Sequence, residues 1–85
     1  MHLLDISALD CAKFFADTHY LEVVEVIAAA LDNPYFRTRN HAAKLLAEIG
    51  AKEKLDDLIR IYKNERRIVV KEKLKEAIEM LQSLN

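Results

Sequence analysis

The chain has 85 residues, of which 52% are hydrophobic and 32% are charged, and its net charge is −1. This balance argues against intrinsic disorder, and a single glycine and a single proline leave too few turn residues for an all-β fold. Alanine, leucine, lysine and glutamate are helix formers, so we expect one all-α domain over residues 1–85.

The cellular setting is predicted from what the sequence lacks. The single Cys11 has no partner for a disulfide within the chain, which favours a reducing, cytoplasmic compartment. Residues 1–6 lack the basic flank and the apolar run of a signal peptide. Charge-free runs such as Val26–Leu31 are too short to cross a bilayer, so we expect no membrane partner.

Five amphipathic helices are predicted from apolar residues that recur every three or four positions. The first covers about residues 5–16, with Asp5 or Ser7 as its N-cap. The second, about residues 20–31, is apolar around most of its circumference, as is typical of a central buried helix. Its valines would also suit a strand, but two glutamates spaced by three and the alanines at 28–30 favour a helix.

The third helix is predicted over about residues 34–49. Asn33 suits its N-cap and Pro34 its first helical position, while Gly50 suits the left-handed residue that ends a helix. The fourth and fifth helices are predicted over about residues 53–62 and 67–84.

An internal repeat is indicated because a shift of 32 residues places the apolar residues at 23, 26, 27, 42, 46 and 49 over those at 55, 58, 59, 74, 78 and 81, and Asp32 over Asn64. The unit at residues 32–50 contains Thr38-Arg39, Ala42-Ala43, Leu46 and Ile49-Gly50. These residues resemble the short HEAT-like repeats of phycobilisome-lyase-type and scaffold proteins, with a longer turn before them. The resemblance covers about residues 20–82 and implies five antiparallel helices forming an α-solenoid of two and a half repeats.

Two positions of the repeat carry specific structural predictions. The small side chains of Ala42 and Ala43 are expected to let neighbouring helices approach closely. The resemblance implies that Arg39 contacts Asp32 in the preceding turn, and a solvated arginine is the alternative.

No catalytic, cofactor or metal site is predicted, and we expect no enzyme activity. The three histidines occur in different elements, and no pair has the spacing of metal ligands on one helix face. Cys11 is expected to pack in the core beside two phenylalanines. Carboxylate pairs such as Asp56 and Asp57 are expected to be solvated.

Charge is distributed unevenly along the chain. Residues 1–36 hold one lysine and six acidic residues, whereas residues 37–85 hold twelve basic and eight acidic residues. The repeat alignment places five of the basic residues near helix starts on one edge, and we name them the basic edge: Arg37, Arg39, Arg66, Arg67 and Lys71. This edge is a candidate contact for phosphates or for an acidic protein, or it is a solvated rim diluted by Glu65 and Glu72.

Three functions follow from these patterns. The first is a non-catalytic protein-protein interaction or scaffold module. The second is a nucleic-acid or acidic-partner binder that uses the basic edge. The third, an accessory subunit of a larger enzyme such as a chromophore lyase, is implied by the resemblance alone.

Self-association is also predicted, because the N-terminal end carries more apolar side chains than one short helix can bury. The candidate residues are Leu3, Leu4, Phe14 and Phe15. A symmetric homodimer would cover them. Alternatively, the first five residues fold back over the end of the stack within one chain.

Overall fold

The computed structural model of the chain describes residues 5–84, which contain five α-helices and no strand. The helices are α1 (Ile6–Lys13), α2 (Tyr20–Ala29), α3 (Phe36–Glu48), α4 (Leu55–Asn64) and α5 (Ile68–Gln82). Short 3-10 turns at Ala30–Asp32 and Lys52–Lys54 extend α2 and precede α4. The predicted all-α class and the predicted number of helices are confirmed over these residues.

Helix α1 begins as predicted and ends early. The carboxylate of Asp5 accepts a hydrogen bond from the backbone N–H of Ala8 at 2.8 Å, which is the contact of an N-cap. The helix stops at Lys13 because the next amide, that of Phe14, bonds three residues back to the carbonyl of Cys11. Residues 14–18 therefore form turns, and the predicted extension of this helix to residue 16 is wrong.

Helix α3 starts two residues later than predicted. The side-chain oxygen of Asn33 accepts a hydrogen bond from the N–H of Tyr35 at 2.9 Å, two residues along the chain. The same bond would serve a helix cap, but here it closes a turn, because the helix begins only at the residue after Tyr35. Pro34 therefore lies in the turn, and the first helical residue is Phe36.

The end of α3 is confirmed in detail. Gly50 has φ +72°, the left-handed conformation that the sequence predicts. Its N–H donates to the carbonyl of Ala47, and the N–H of Ala51 donates to that of Leu46 at 2.9 Å. These two bonds form a Schellman motif, which satisfies carbonyls that the helix leaves without partners.

The core is centred on α3, which contacts α1, α2 and α5, while α4 packs against α5. Ala42 and Ala43 are both buried, as expected for small residues between neighbouring helices. The fully buried large side chains come from all five helices and from the turn after α2: Leu9, Val24, Ile27, Leu31, Leu46, Leu58, Val70, Leu74 and Leu81.

Helices α1 and α3 lie side by side in the same direction. Their polar contacts follow one another along both helices: Asp10 Oδ1 lies 2.6 Å from His41 Nε2, and Lys13 Nζ lies 2.9 Å from Glu48 Oε1.

Helix α5 lies on the other side of α3, also in the same direction. At the start of both helices, the guanidinium of Arg67 covers the ring of Phe36. At their ends, Lys52 Nζ donates to the carbonyl of Leu84 at 2.7 Å. The Cα atoms span 36 × 34 × 16 Å, so the molecule is flat.

Two apolar predictions are corrected by the structure. Helix α2 is less buried than its composition predicts, because Leu21 and Val26 are exposed and one face alone reaches the core. Cys11, expected in the core, is exposed because Leu9 occupies the buried position of α1. No helix within residues 5–84 has the length and apolar character needed to cross a membrane.

Replacement of Ala43 by leucine tests the packing around α3. Ala43 is 1% exposed, so three more carbon atoms should overpack its surroundings, and we expect the free energy of unfolding to fall by about 1 to 3 kcal/mol. Urea denaturation measures the loss, and Ala29→Leu on the exposed side of α2 is the matched control. Equal stability of both variants would show that the space beside Ala43 is open.

Replacement of Gly50 by alanine tests the backbone at the end of α3. A Cβ atom at this position would lie 3.6 Å from Leu84 Cδ1, an ordinary contact, so the cost comes from the left-handed conformation. We expect a loss of about 1 to 2 kcal/mol in thermal or urea unfolding. Gly50→Asn should lose less, because asparagine tolerates this conformation, and equal losses would point to a steric cause.

Candidate functional site

The basic edge is assembled where α3 and α5 begin. Arg37 lies in the first turn of α3, Lys71 lies in the first turn of α5, and Arg66 and Arg67 lie in the connection before α5. The connection between α4 and α5 is three residues long, so it places these side chains beside the start of α3. The structure thus brings together residues that are about 30 positions apart in sequence.

Arg39 belongs to the framework of this edge. Its Nη1 donates to the carbonyls of Asn33 and Pro34 at 3.1 and 3.0 Å, and its Nη2 donates to Glu65 Oε2 at 2.7 Å. The side chain is 19% exposed. The guanidinium therefore makes its contacts within the protein, and these contacts link the turn before α3 to the connection before α5.

The contact implied between Arg39 and Asp32 is wrong. Asp32 instead accepts a hydrogen bond from Arg60 Nη1 at 3.3 Å, on the exposed surface. Arg39 pairs instead with the carboxylate of Glu65, whose side chain is only 7% exposed. A charge-assisted bond is stronger at such a site than in solvent.

Glu65 is held ionised by three donors. Burial by itself would raise the pKa of this carboxyl. The hydrogen bonds from Arg39 and from the backbone N–H groups of Arg67 and Arg66 outweigh burial, and the pKa lies below its ordinary value of 4.5. Glu65 and Arg39 neutralise each other, so this pair removes one of the five predicted cations from the basic edge.

Aromatic rings position two of the remaining cations. The guanidinium carbon of Arg67 lies 4.4 Å from the ring centroid of Phe36, and that of Arg37 lies 5.9 Å from the same centroid. Lys71 Nζ lies 4.5 Å above the ring of Tyr62. Contacts within about 6 Å are attractive and hold a side chain without neutralising its charge.

Arg66 is the free member of the edge. Among residues 5–84 its side chain has no hydrogen bond, ion pair or ring contact, and it is exposed. Its backbone N–H alone is engaged, by Glu65 Oε1 at 3.1 Å. The guanidinium is thus available to an external carboxylate or phosphate.

Exposed apolar side chains accompany these cations, and the sequence reading missed them. Ile68 and Val69 are 74% and 68% exposed at the start of α5, and Tyr35 is 67% exposed before α3. Periodicity indicates their exposure. The buried face of α5 contains Val70 and Leu74, and Ile68 and Val69 do not fall on that face. The edge is therefore both basic and apolar.

A second surface lies at the C-terminal end of α1, and we name it the acidic hollow. It is an open depression of about 820 Å³ whose apolar wall comes from Phe14, Tyr20 and Ile49. Its charged side chains are three carboxylates, of Asp10, Asp17 and Glu48, against the single ammonium of Lys13. Lys13 is already paired with Glu48, so the depression keeps an acidic character.

The self-association candidates are only partly described. Phe14 is 86% exposed and Phe15 is 57% exposed, whereas Leu3 and Leu4 lie outside residues 5–84. The two phenylalanines are exposed because α1 ends before them. An exposed aromatic pair of this kind marks a contact surface when it is grouped with other apolar residues.

Within residues 5–84 no group of three His, Cys, Asp or Glu side chains is placed to hold a metal ion. Two carboxylates around the acidic hollow are bound by neighbours: Asp10 contacts His41, and Glu48 contacts Lys13. These contacts stabilise the attachment of α1 to α3.

The ion pair of Glu65 predicts a pH dependence of stability. Because the pKa of Glu65 is lower in the folded chain than in the unfolded chain, its stabilisation is complete above pH 4.5 and is lost as the pH falls through the lowered value. We expect Glu65→Gln to be less stable than wild type by about 1.5 to 3 kcal/mol at pH 7.

Urea unfolding between pH 7 and pH 3 measures this difference. The gap between wild type and Glu65→Gln should narrow as the pH falls. Glu79→Gln on the exposed side of α5 is the control and should track wild type throughout. A gap that stays constant with pH would contradict the assignment of the ionised carboxylate as the stabilising group.

Comparison with known proteins adds no relative. No protein-family model, no curated protein and no solved structure gives a significant match to this chain. The resemblance to HEAT-like repeats therefore stays a prediction from the residues.

Proposed function

We propose that this chain is a non-catalytic protein-binding module that holds an acidic partner segment on its basic edge. The observation that carries the proposal is the exposure of Ile68 and Val69 directly after Arg66 and Arg67. An acidic segment with apolar side chains would cover the aliphatic pair and pair its carboxylates with the arginines. Both contributions are typical of protein interfaces.

The composition of the edge favours a protein over a nucleic acid. Phosphates are recognised through cations, and one of the five predicted cations, Arg39, is already paired with Glu65. Ile68 and Val69 gain nothing from a phosphate backbone, whereas they gain free energy when a partner covers them. Nucleic-acid binding is therefore the alternative outcome of the test below.

We also propose a short HEAT-like solenoid as the framework of this module. Three features support it: α1, α3 and α5 run in the same direction, the molecule is flat, and two of the residue pairs related by the 32-residue shift are buried in both units. Ala42 and Leu46 correspond to Leu74 and Ile78 in this relation. A role as an accessory subunit and a cytoplasmic setting stay predictions.

A pair of synthetic peptides tests the binding function. One peptide is an acidic amphipathic helix with leucines every three or four residues, and the other has each carboxylate replaced by an amide. We expect the acidic peptide to bind more tightly in fluorescence anisotropy, and Arg66→Glu with Arg67→Glu to weaken it by about tenfold or more.

The control must carry the same change of net charge. Lys44→Glu with Lys75→Glu meets this need, because both lysines are exposed and lie outside the basic edge. Equal weakening by both double variants would indicate long-range charge and no defined edge. If a duplex or single-stranded oligonucleotide binds tightly and in a salt-sensitive way while neither peptide binds, the protein-binding proposal is wrong and nucleic-acid binding takes its place.

A further inference from the structure

The chain carries two surfaces that complement one another. Residues 66–69 at the start of α5 are all exposed, and we name this segment the projection: the aliphatic pair Ile68 and Val69 follows two arginines. The acidic hollow presents a depression with an apolar wall and an excess of carboxylates. The projection is basic and apolar, and the depression is acidic and apolar.

The two surfaces cannot meet within one molecule. The acidic hollow lies at the end of α1, beside the C-terminal end of α3, since it includes Glu48 and Ile49. The projection lies beside the N-terminal end of α3, where Arg67 covers Phe36. Because α3 is 13 residues long, its two ends are about 20 Å apart.

We propose that the partner of the basic edge is a second copy of this chain, which receives the projection at residues 66–69 in its acidic hollow. This inference rests on the proposed function and names its partner. Arg66 of one copy pairs with Asp17 of the other, while Ile68 and Val69 lie against Phe14. Arg66 and Asp17 are exposed, and within residues 5–84 neither side chain has a partner of its own.

The arrangement differs from the symmetric homodimer that the sequence predicts. A symmetric contact through Phe14 and Phe15 would bring two acidic ends together, because residues 1–36 hold six acidic residues and one lysine. Like charges at an interface oppose association. A contact between unlike surfaces instead pairs opposite charges and covers both apolar groups, and it leaves one free surface at each end of the assembly.

The contact involves few residues, so we expect weak, salt-sensitive association. Sedimentation velocity over a roughly hundredfold range of concentration should show a rising mean mass for wild type at low salt and a smaller rise at high salt. Arg66→Glu and Asp17→Arg, each alone, should weaken association by about tenfold. Thermal melts should show both variants folded, because neither side chain has an internal partner.

Mixing the two variants is the decisive measurement. In the mixture, Arg66 of the Asp17→Arg variant meets the unchanged Asp17 of the Arg66→Glu variant, and the two substituted side chains also carry opposite charges. The equimolar mixture should therefore associate more strongly than either variant alone. A strictly monomeric wild type, or a mixture that stays monomeric, overturns the inference. Association that is unaffected by Arg66→Glu and lost in Phe14→Glu also overturns it and supports the symmetric dimer.

The two proposals fail separately. If wild type is monomeric and still binds the acidic peptide through Arg66 and Arg67, the self-association is wrong and the protein-binding function stands. If the peptide does not bind and the variants associate only as a mixture, the basic edge recognises this chain alone.

Discussion

The ion pair between Arg39 and Glu65 is a constraint on where α3 and α5 begin relative to each other. Arg39 also donates to two carbonyls in the turn before α3, and Glu65 also accepts from two backbone amides before α5. One pair of side chains therefore fixes two inter-helix connections relative to each other. Because α3 and α5 both begin at these connections, the pair sets their common start. Apolar burial supplies the stability, and this pair helps set the relative position of the helices along their axes.

The basic edge is a by-product of this constraint. The residues that follow Glu65 are two arginines, and the residue after Phe36 is a third, so joining the two connections necessarily concentrates positive charge. The ring of Phe36 separates and orients two of these cations. The same geometry leaves the first two residues of α5 without a neighbouring helix. A structural contact thus generates a surface whose charge and apolar character both suit a partner.

The sequence predicts local features of this fold well and spatial partners poorly. Helix number, the Asp5 cap and the left-handed Gly50 are set by residues within a few positions of each other, so periodicity and turn chemistry identify them. Arg39 and Glu65 are 26 positions apart, and no local pattern selects one carboxylate among several. Asn33 shows a different limit. The same side-chain bond can cap a helix or close a turn, and the three-dimensional path of the chain decides where the helix begins. The exposure of Ile68 and Val69 was not predicted, because composition alone assigns such apolar residues to the core.

The attachment of α1 has a consequence for the dynamics of the chain. Leu9 is the one buried side chain of this eight-residue helix, and its other links to α3 are two polar contacts at the surface. Each of the other helices contributes at least two buried side chains. We therefore expect the free energy needed to detach α1 to be smaller than that of global unfolding, so that α1 opens as a separate cooperative unit. We expect its amide hydrogens to exchange with solvent while α3 and α5 stay folded, and each such opening exposes the part of α3 that α1 covers.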